Sequence, residues 1–197
     1  MYFYFVKNTT DLPDIKVIID GCLEGNRRDQ ELLYRRYSPK LYAVCLQYTS
    51  DDDEAKDVLQ EGFIKIFENL HTYKSEGPIE AWMRRIVVNA ALEKYRSRSP
   101  LYKVEDIDKL TEMGLEPGFE DYSELDAKML MDIIKELPPQ YKMVFNLFAI
   151  EGYLHKEISK MLKISIGTSK SNLARARLIL QRKVEMYTGI KRKVVNG

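Results

Sequence analysis

Cysteine, histidine and tryptophan are scarce in this chain of 197 residues, at two, two and one. Cys22 and Cys45 lie inside apolar-periodic segments with no close ligand partner, so they read as reduced core residues and not as a disulfide or a metal pair. His71 and His155 fall in different halves, and neither a Gly-rich phosphate loop nor a nucleophile–base pair is present. That leaves little for a metal-dependent enzyme beyond the carboxylates between Asp51 and Glu61, which are bunched at a helix start. No run approaches the roughly 18–20 apolar residues of a spanning helix. The start, Met1-Tyr2-Phe3-Tyr4-Phe5-Val6-Lys7, lacks the basic flank and apolar length of a signal peptide, so a cytoplasmic protein with no membrane insertion is expected. Strand-period alternation is nearly absent. Net charge is small as well, +1 from 31 Lys+Arg and 30 Asp+Glu, which taken alone argues against a nucleic-acid partner.

The distribution of that charge reverses the inference. Residues 83–103 carry six basic residues and one acid, and residues 152–193 carry 11 basic residues and two acids. Between them, residues 104–136 hold 11 acids against three lysines, and Asp51–Glu61 holds six acids against Lys56. Two cationic surfaces separated by an anionic connector fit a polyanionic partner.

Helical periodicity runs through almost the whole sequence, so the fold class is all-α. Helices are predicted over about Leu12–Leu23, about Arg28–Tyr48 with a kink or break near Ser38 ahead of Pro39, and about Asp51–Leu70 from an acidic cap. A loop over His71–Gly77 leads to Pro78 at the start of a fourth helix reaching about Arg96. Periodicity fades from Ser97 to about Tyr122, where Gly114, Pro117, Gly118 and the acidic run make a flexible linker. Helices resume over about Ser123–Leu137, from Pro138-Pro139 to near Gly152, over about Leu154–Leu162 and over about Gly167–Tyr187. The expected organisation is a helical domain over 12–98, a linker over 99–122 and a second small helical domain over 123–187.

The second domain has the pattern of a helix-turn-helix. Ile158, Met161 and Leu162 give the first helix a buried face, Ile164 and Ile166 plug the turn, and Leu173, Ala176 and Leu180 return the second helix to the core. Ser165 suits the N-cap of that second helix. Thr168, Lys170, Ser171, Asn172, Arg175 and Arg177 are left to face outward, residue types that suit base edges and phosphates in a major groove.

The first domain offers two faces. On the third helix Ala55, Val58, Leu59, Gly62, Phe63, Ile66 and Leu70 form a core stripe, with Ile64 and Phe67 beside it next to Asp57 and Gln60. An apolar surface punctuated by polar residues points to a protein partner. On the fourth helix Ile79, Met83, Ile86, Val87 and Ala90 form the core stripe, and Trp82, Arg85, Asn89 and Arg96 line its edge. An aromatic, an amide and two guanidiniums in line suit an unpaired base and its phosphates. The preceding loop could hold a flipped base beside Tyr73, with Lys74 next to it.

Asp57-Val58-Leu59-Gln60-Glu61-Gly62-Phe63 and Ala81-Trp82-Met83-Arg84-Arg85-Ile86-Val87-Val88-Asn89 resemble the region-2 domain of bacterial RNA polymerase sigma factors. Leu137-Pro138-Pro139-Gln140-Tyr141, Glu151-Gly152-Tyr153, Glu157-Ile158 and Ala174-Arg175-Ala176-Arg177 are similar to region 4. With no room for other sigma domains, the resemblance is to the extracytoplasmic-function group of the sigma-70 family. It implies a non-enzymatic transcription initiation factor with no cofactor. Asp57, Gln60, Phe63, Ile64 and Phe67 would dock on the β′ clamp of core RNA polymerase. Tyr73, Lys74, Trp82, Arg85, Asn89 and Arg96 would recognise and melt the −10 promoter element. Thr168, Lys170, Ser171, Asn172, Arg175 and Arg177 would read the −35 element, with the second domain near the β flap and an anti-sigma factor holding activity in check. Ser165 and Ser169 stand where the family often has Pro and Val, and Ala174 where several relatives carry a larger side chain, which bears on the −35 sequence that is read.

A rival reading, a one-component transcriptional regulator, accounts for the helix-turn-helix but not for the Trp82, Arg85, Asn89 and Arg96 edge.

Overall fold

A computed structural model of the protein describes residues 13–98 and 127–188. Among them there is no strand. The chain divides near Lys94 into two compact units.

The first unit is built from α1 (Ile15–Leu23), α2 (Arg27–Tyr48), α3 (Asp52–Asn69), a 3₁₀ turn (Leu70–Thr72) and α4 (Ile79–Arg98). Short polar side chains start the first three of these helices. Asp14 accepts from the Lys16 amide at 3.0 Å, Asn26 from Arg28 at 3.0 Å and Asp51 from Glu54 at 2.8 Å. Glu54 reaches back to the Ser50 amide at 2.9 Å, so two free donors at the head of α3 are satisfied together. Gly25, at φ 79°, supplies the left-handed turn after α1.

The expected break at Pro39 does not occur. α2 continues through it as one 22-residue helix. Proline removes one backbone hydrogen bond, but Leu33 and Tyr37 before it and Leu41, Val44 and Cys45 after it are all buried on one side. Packing along the full length of the helix outweighs the local defect. The core is completed by Ile18, Val58, Ile66, Leu70, Met83 and Val87, every one at or near zero exposure. The whole stripe expected on α3, Ala55 through Leu70, is buried.

Polar ties join the helices at the rim. Lys94 pairs with Asp57 at 2.9 Å, Lys65 bridges Glu61 and Glu93, and Lys40 meets Glu80 at 2.7 Å. The carboxylates of these pairs are about half-exposed or more, while the Lys65 and Lys94 side chains are partly covered. Each pair therefore contributes modestly and mainly fixes orientation.

The second unit holds α5 (Ala127–Lys135), α6 (Pro139–Phe145) running into a π-helical turn (Asn146–Ile150), α7 (His155–Leu162) and α8 (Ile166–Thr188). Ile133, Ile134, Leu137, Tyr141, Ala176, Leu180 and Val184 form one core cluster, with α8 as its spine. The expected linker, 99–122, lies outside the described residues, as do the first residues of the helix expected from Ser123 and the start of the one expected from Leu12.

Candidate nucleic-acid interface

The loop before α4 is shaped by its own backbone. Tyr73 follows the 3₁₀ turn, and its hydroxyl donates to the Gly77 carbonyl at 2.5 Å. Ser75 (φ 58°) and Gly77 (φ 124°) take left-handed conformations, which fold the segment back toward Pro78. The Pro78 carbonyl then accepts from the Ala81 and Trp82 amides at 3.0 and 3.4 Å, starting α4.

This brings the Tyr73 and Trp82 rings to 5.6 Å between centroids, tilted by 48°. Both are half-buried, so Trp82 is not a core residue. A pocket of about 420 Å³ opens between loop and helix, lined by Tyr73 and Trp82 together with Lys74, Arg85 and one acid, Glu76. Two aromatic walls and two cations can receive a flat anionic unit such as a nucleotide. Asn89 is exposed further along α4, and Arg96, half-buried, lies in its last turns.

On α3, Asp57, Gln60 and Ile64 are exposed, Ile64 by 56%, and Phe67 is half-buried. Phe63, expected on this partner-facing surface, is only 3% exposed. Its ring is held between Tyr34 and Phe67, with centroids at 4.5 and 6.0 Å, because it belongs to the core stripe that packs α3 on α2. It therefore cannot offer its own surface and instead backs the neighbours that do.

In the second unit, Lys163 takes a left-handed conformation (φ 54°) after α7, and the Ile164 amide donates to the Ser159 carbonyl. Ser165 caps α8, accepting from the Thr168 amide at 2.9 Å, as its position predicts. The hydroxyls of Ser165 and Thr168 also meet at 2.8 Å. Ile166, expected inside the turn, is 45% exposed. As the first residue of α8 it projects past the cap, and Ile164 alone of the pair is partly covered.

The outward set on α8 is smaller than expected. Lys170 is exposed, while Thr168, Ser171, Arg175 and Arg177 are half-buried. Asn172 is only 7% exposed, since it shares the inner face with Leu173 and Ala176. Arg177 holds its guanidinium 5.7 Å from the centre of the Phe148 ring.

The sequence pattern assigns no role to three residues of this region. Ser169 is fully buried, with its Oγ 2.9 Å from the His155 Nδ1. The His155 ring stacks on Phe148 at 4.7 Å with planes 22° apart. Burial, and then the Lys170 and Arg177 charges, hold the imidazole below its ordinary pKa. Stepping back from Leu173, Ala176 and Leu180 by fours places Ser169 on the inner stripe, a signal present in the sequence.

Among the described residues no group of three or more His, Cys, Asp or Glu could hold a metal ion. No described helix is long and apolar enough to cross a membrane.

Family models match this chain in the same two places. Sigma-70 region 2 covers residues 33–100, and Sigma-70, region 4 covers residues 127–180. The ECF RNA polymerase sigma-E factor of Haemophilus influenzae is 25% identical over 181 residues, covering 86% of this chain and 95% of that one. The ECF RNA polymerase sigma-E factor of Escherichia coli K12 is 26% identical over 180 residues, covering 86% and 94%. Among solved structures, the sigma factor RpoE of Bartonella quintana, crystallised with the anti-sigma factor NepR, aligns with a TM-score of 0.47 at 22% identity, covering 80% of this chain and 98% of that one. CnrH, in complex with the cytosolic domain of CnrY, aligns at 0.47 and 20% identity, covering 88% and 99%. With both regions in order on one chain, and relatives matched over nearly their full length, this protein belongs to the extracytoplasmic-function group of the sigma-70 family of bacterial RNA polymerase sigma factors.

Proposed function

We propose that this initiation factor divides promoter recognition between its two units. The first, residues 12–98, takes the −10 element and the polymerase clamp, and the second, residues 123–187, takes the −35 element near the β flap. The observation that carries the reading is the Tyr73–Trp82 pocket with Lys74 and Arg85 at its edge. A base leaving the duplex costs a few kcal/mol in lost stacking and pairing. Stacking on an aromatic wall returns about 1–3 kcal/mol per base, so a preformed pocket stabilises the melted strand and not the duplex. Asn89 and Arg96 extend the same helix along the strand that leaves the pocket.

Ile64 and Phe67 with Asp57 and Gln60 form the polymerase-facing surface, backed by Phe63. Lys170 and Arg175, with Thr168, Ser171 and Arg177 around them, meet the −35 duplex. As an initiation factor it acts by binding polymerase and promoter DNA, and a role other than that of an enzyme follows from this reading. It works in the cytoplasm with core polymerase, under the control of an anti-sigma factor.

Size exclusion of the chain with core polymerase tests the reading. Co-elution, with promoter DNA held tightly only by the complex, is the expected result. Failure to co-elute, together with tight duplex binding by the chain alone, would replace it with a one-component regulator.

A further inference from the structure

Four side chains from three elements of the second unit meet along one edge of α8. His155 opens α7, Phe148 lies in the π-helical turn, and Ser169 and Arg177 belong to α8. His155 Nδ1 is 2.9 Å from Ser169 Oγ, whose residue is fully buried. A buried hydroxyl is costly unless it is hydrogen-bonded, and His155 supplies that partner. The same imidazole stacks on Phe148, and the Phe148 ring in turn receives the Arg177 guanidinium. One contact therefore grips the first turn of α8, and the other grips it roughly two turns later.

The functional cations sit beside those grips. Lys170 directly follows Ser169, and Arg177 is itself part of the stack. A helix free to roll about its axis would present these charges to different phosphates. Groups that must meet a ligand in fixed geometry are held by packing and hydrogen bonds behind them.

We propose that His155 is a positioning residue for promoter binding: through Ser169 and Phe148 it sets the rotation of α8, and with it the placement of Lys170 and Arg177. The inference rests on α8 being the reader of the upstream element. His155 itself need touch neither base nor phosphate.

The test uses holoenzyme assembled from core polymerase and the full chain. Run-off transcription on sheared genomic DNA, with transcript 5′ ends sequenced, finds its strongest promoter, which then serves as the probe. Promoter Kd is measured for His155→Ala, His155→Phe, Ser169→Val, the His155→Phe/Ser169→Val pair and Lys170→Ala, together with core-polymerase affinity and thermal midpoint. Each single change at the lock is expected to weaken promoter binding by about tenfold, the size of one unsatisfied buried partner, with core affinity unchanged. The pair is expected to return to within about threefold of the parent, because both polar partners are replaced by apolar groups of similar shape.

If His155→Ala does not fold, Ser169→Val and the pair carry the comparison. Promoter binding at full strength in the single variants overturns the proposal, as does a pair whose loss is the product of the two single losses. Recovery of the thermal midpoint without recovery of promoter binding overturns it too. Absence of promoter-specific transcripts from the parent, or Lys170→Ala binding like the parent, would instead sink the reading of α8, and the proposal with it.

Discussion

Gly62 lies so close to Val87 that a Cβ built on it would stand 2.9 Å from Val87 Cγ2. This is where α3, with the exposed Ile64, meets α4, with the Trp82 edge. The missing side chain lets the two helices approach, and the Lys94–Asp57 pair and the Lys65 bridge fasten the same seam at its rim. Gly62→Ala gains about 1 kcal/mol of helix propensity but inserts a methyl group against a stiff β-branched neighbour. Overpacking typically costs about 1–3 kcal/mol, so Gly62→Ala is expected to be mildly destabilising and Gly62→Val clearly so. Urea unfolding of the three chains checks this, and a stabilised valine variant would mean the seam is loose.

Trp82→Ala is expected to impair open-complex formation far more than polymerase binding. Loss of one stacked base is worth about 1–3 kcal/mol, which is about five- to 150-fold in the melting equilibrium. Permanganate reactivity of promoter thymines reports melting, and core affinity is read in parallel. Because Trp82 is half-buried, the folded state should survive the change. Equal loss of melting and polymerase affinity would mean that Trp82 acts by supporting the fold.

What the sequence made legible follows from the physics of each element. The α3 stripe from Ala55 to Leu70 is spaced by threes and fours in apolar residues, and every member is buried. The apolar part of the α8 stripe begins only at Leu173. Its earlier members, Ser169 and Asn172, are polar and so look outward by composition although they lie inside by period. Pro39 followed a local rule that packing on both sides overrides. The π-helical turn at Asn146–Ile150 is a backbone register with no side-chain periodicity, and the Phe148–His155 stack it creates is a contact across a turn. Phe63 carries both a core position and a family motif, and the core position decides its exposure.

The two cysteines should set an alkaline limit to stability. Burial pushes the Cys22 thiol up to about 11 and the Cys45 thiol up to about 12, from an ordinary 9.0. Both raised values belong to the folded state, so the stability they represent is fully present below pH 9.0 and is lost as pH rises toward 11–12. At neutral pH neither thiol should react with a disulfide reagent until the first unit opens. Thiol release timed against unfolding checks this, and fast labelling of the native chain would contradict it. Replacing both with Ala should remove the thiol part of the alkaline loss while lowering stability at neutral pH.

Lys163 is the residue between α7 and α8 that holds a left-handed conformation, at φ 54°. A residue with a Cβ meets about 1–2 kcal/mol of strain there, whereas glycine adopts it freely. Glycine also has more freedom to lose on folding, so Lys163→Gly is expected to gain only about 0.5–1 kcal/mol. The exposed lysine side chain makes no ion pair among the described residues, so little is lost with it. Denaturant midpoints of the full chain check the sign, and a lower midpoint would mean that the turn is not strained.

Lys170→Ala with Arg175→Ala should weaken promoter binding by a few kcal/mol, since a good base contact is worth about 1–3 kcal/mol. The two residues are separable by salt. A cation on a phosphate contributes about 0.9 to the slope of log K against log salt, whatever the sequence. A cation on a base edge changes which sequence is preferred. Lys170 is exposed and close to the start of α8, where the helix end favours anions, whereas Arg175 is half-buried a turn further on. Lys170→Ala is therefore expected to lower the slope by about one unit across all promoters. Arg175→Ala should alter the upstream base preference and change the slope less. Binding to a duplex pool with the upstream element randomised, read at three salt concentrations, distinguishes them. An unchanged footprint and slope for the double variant would remove α8 from the −35 element.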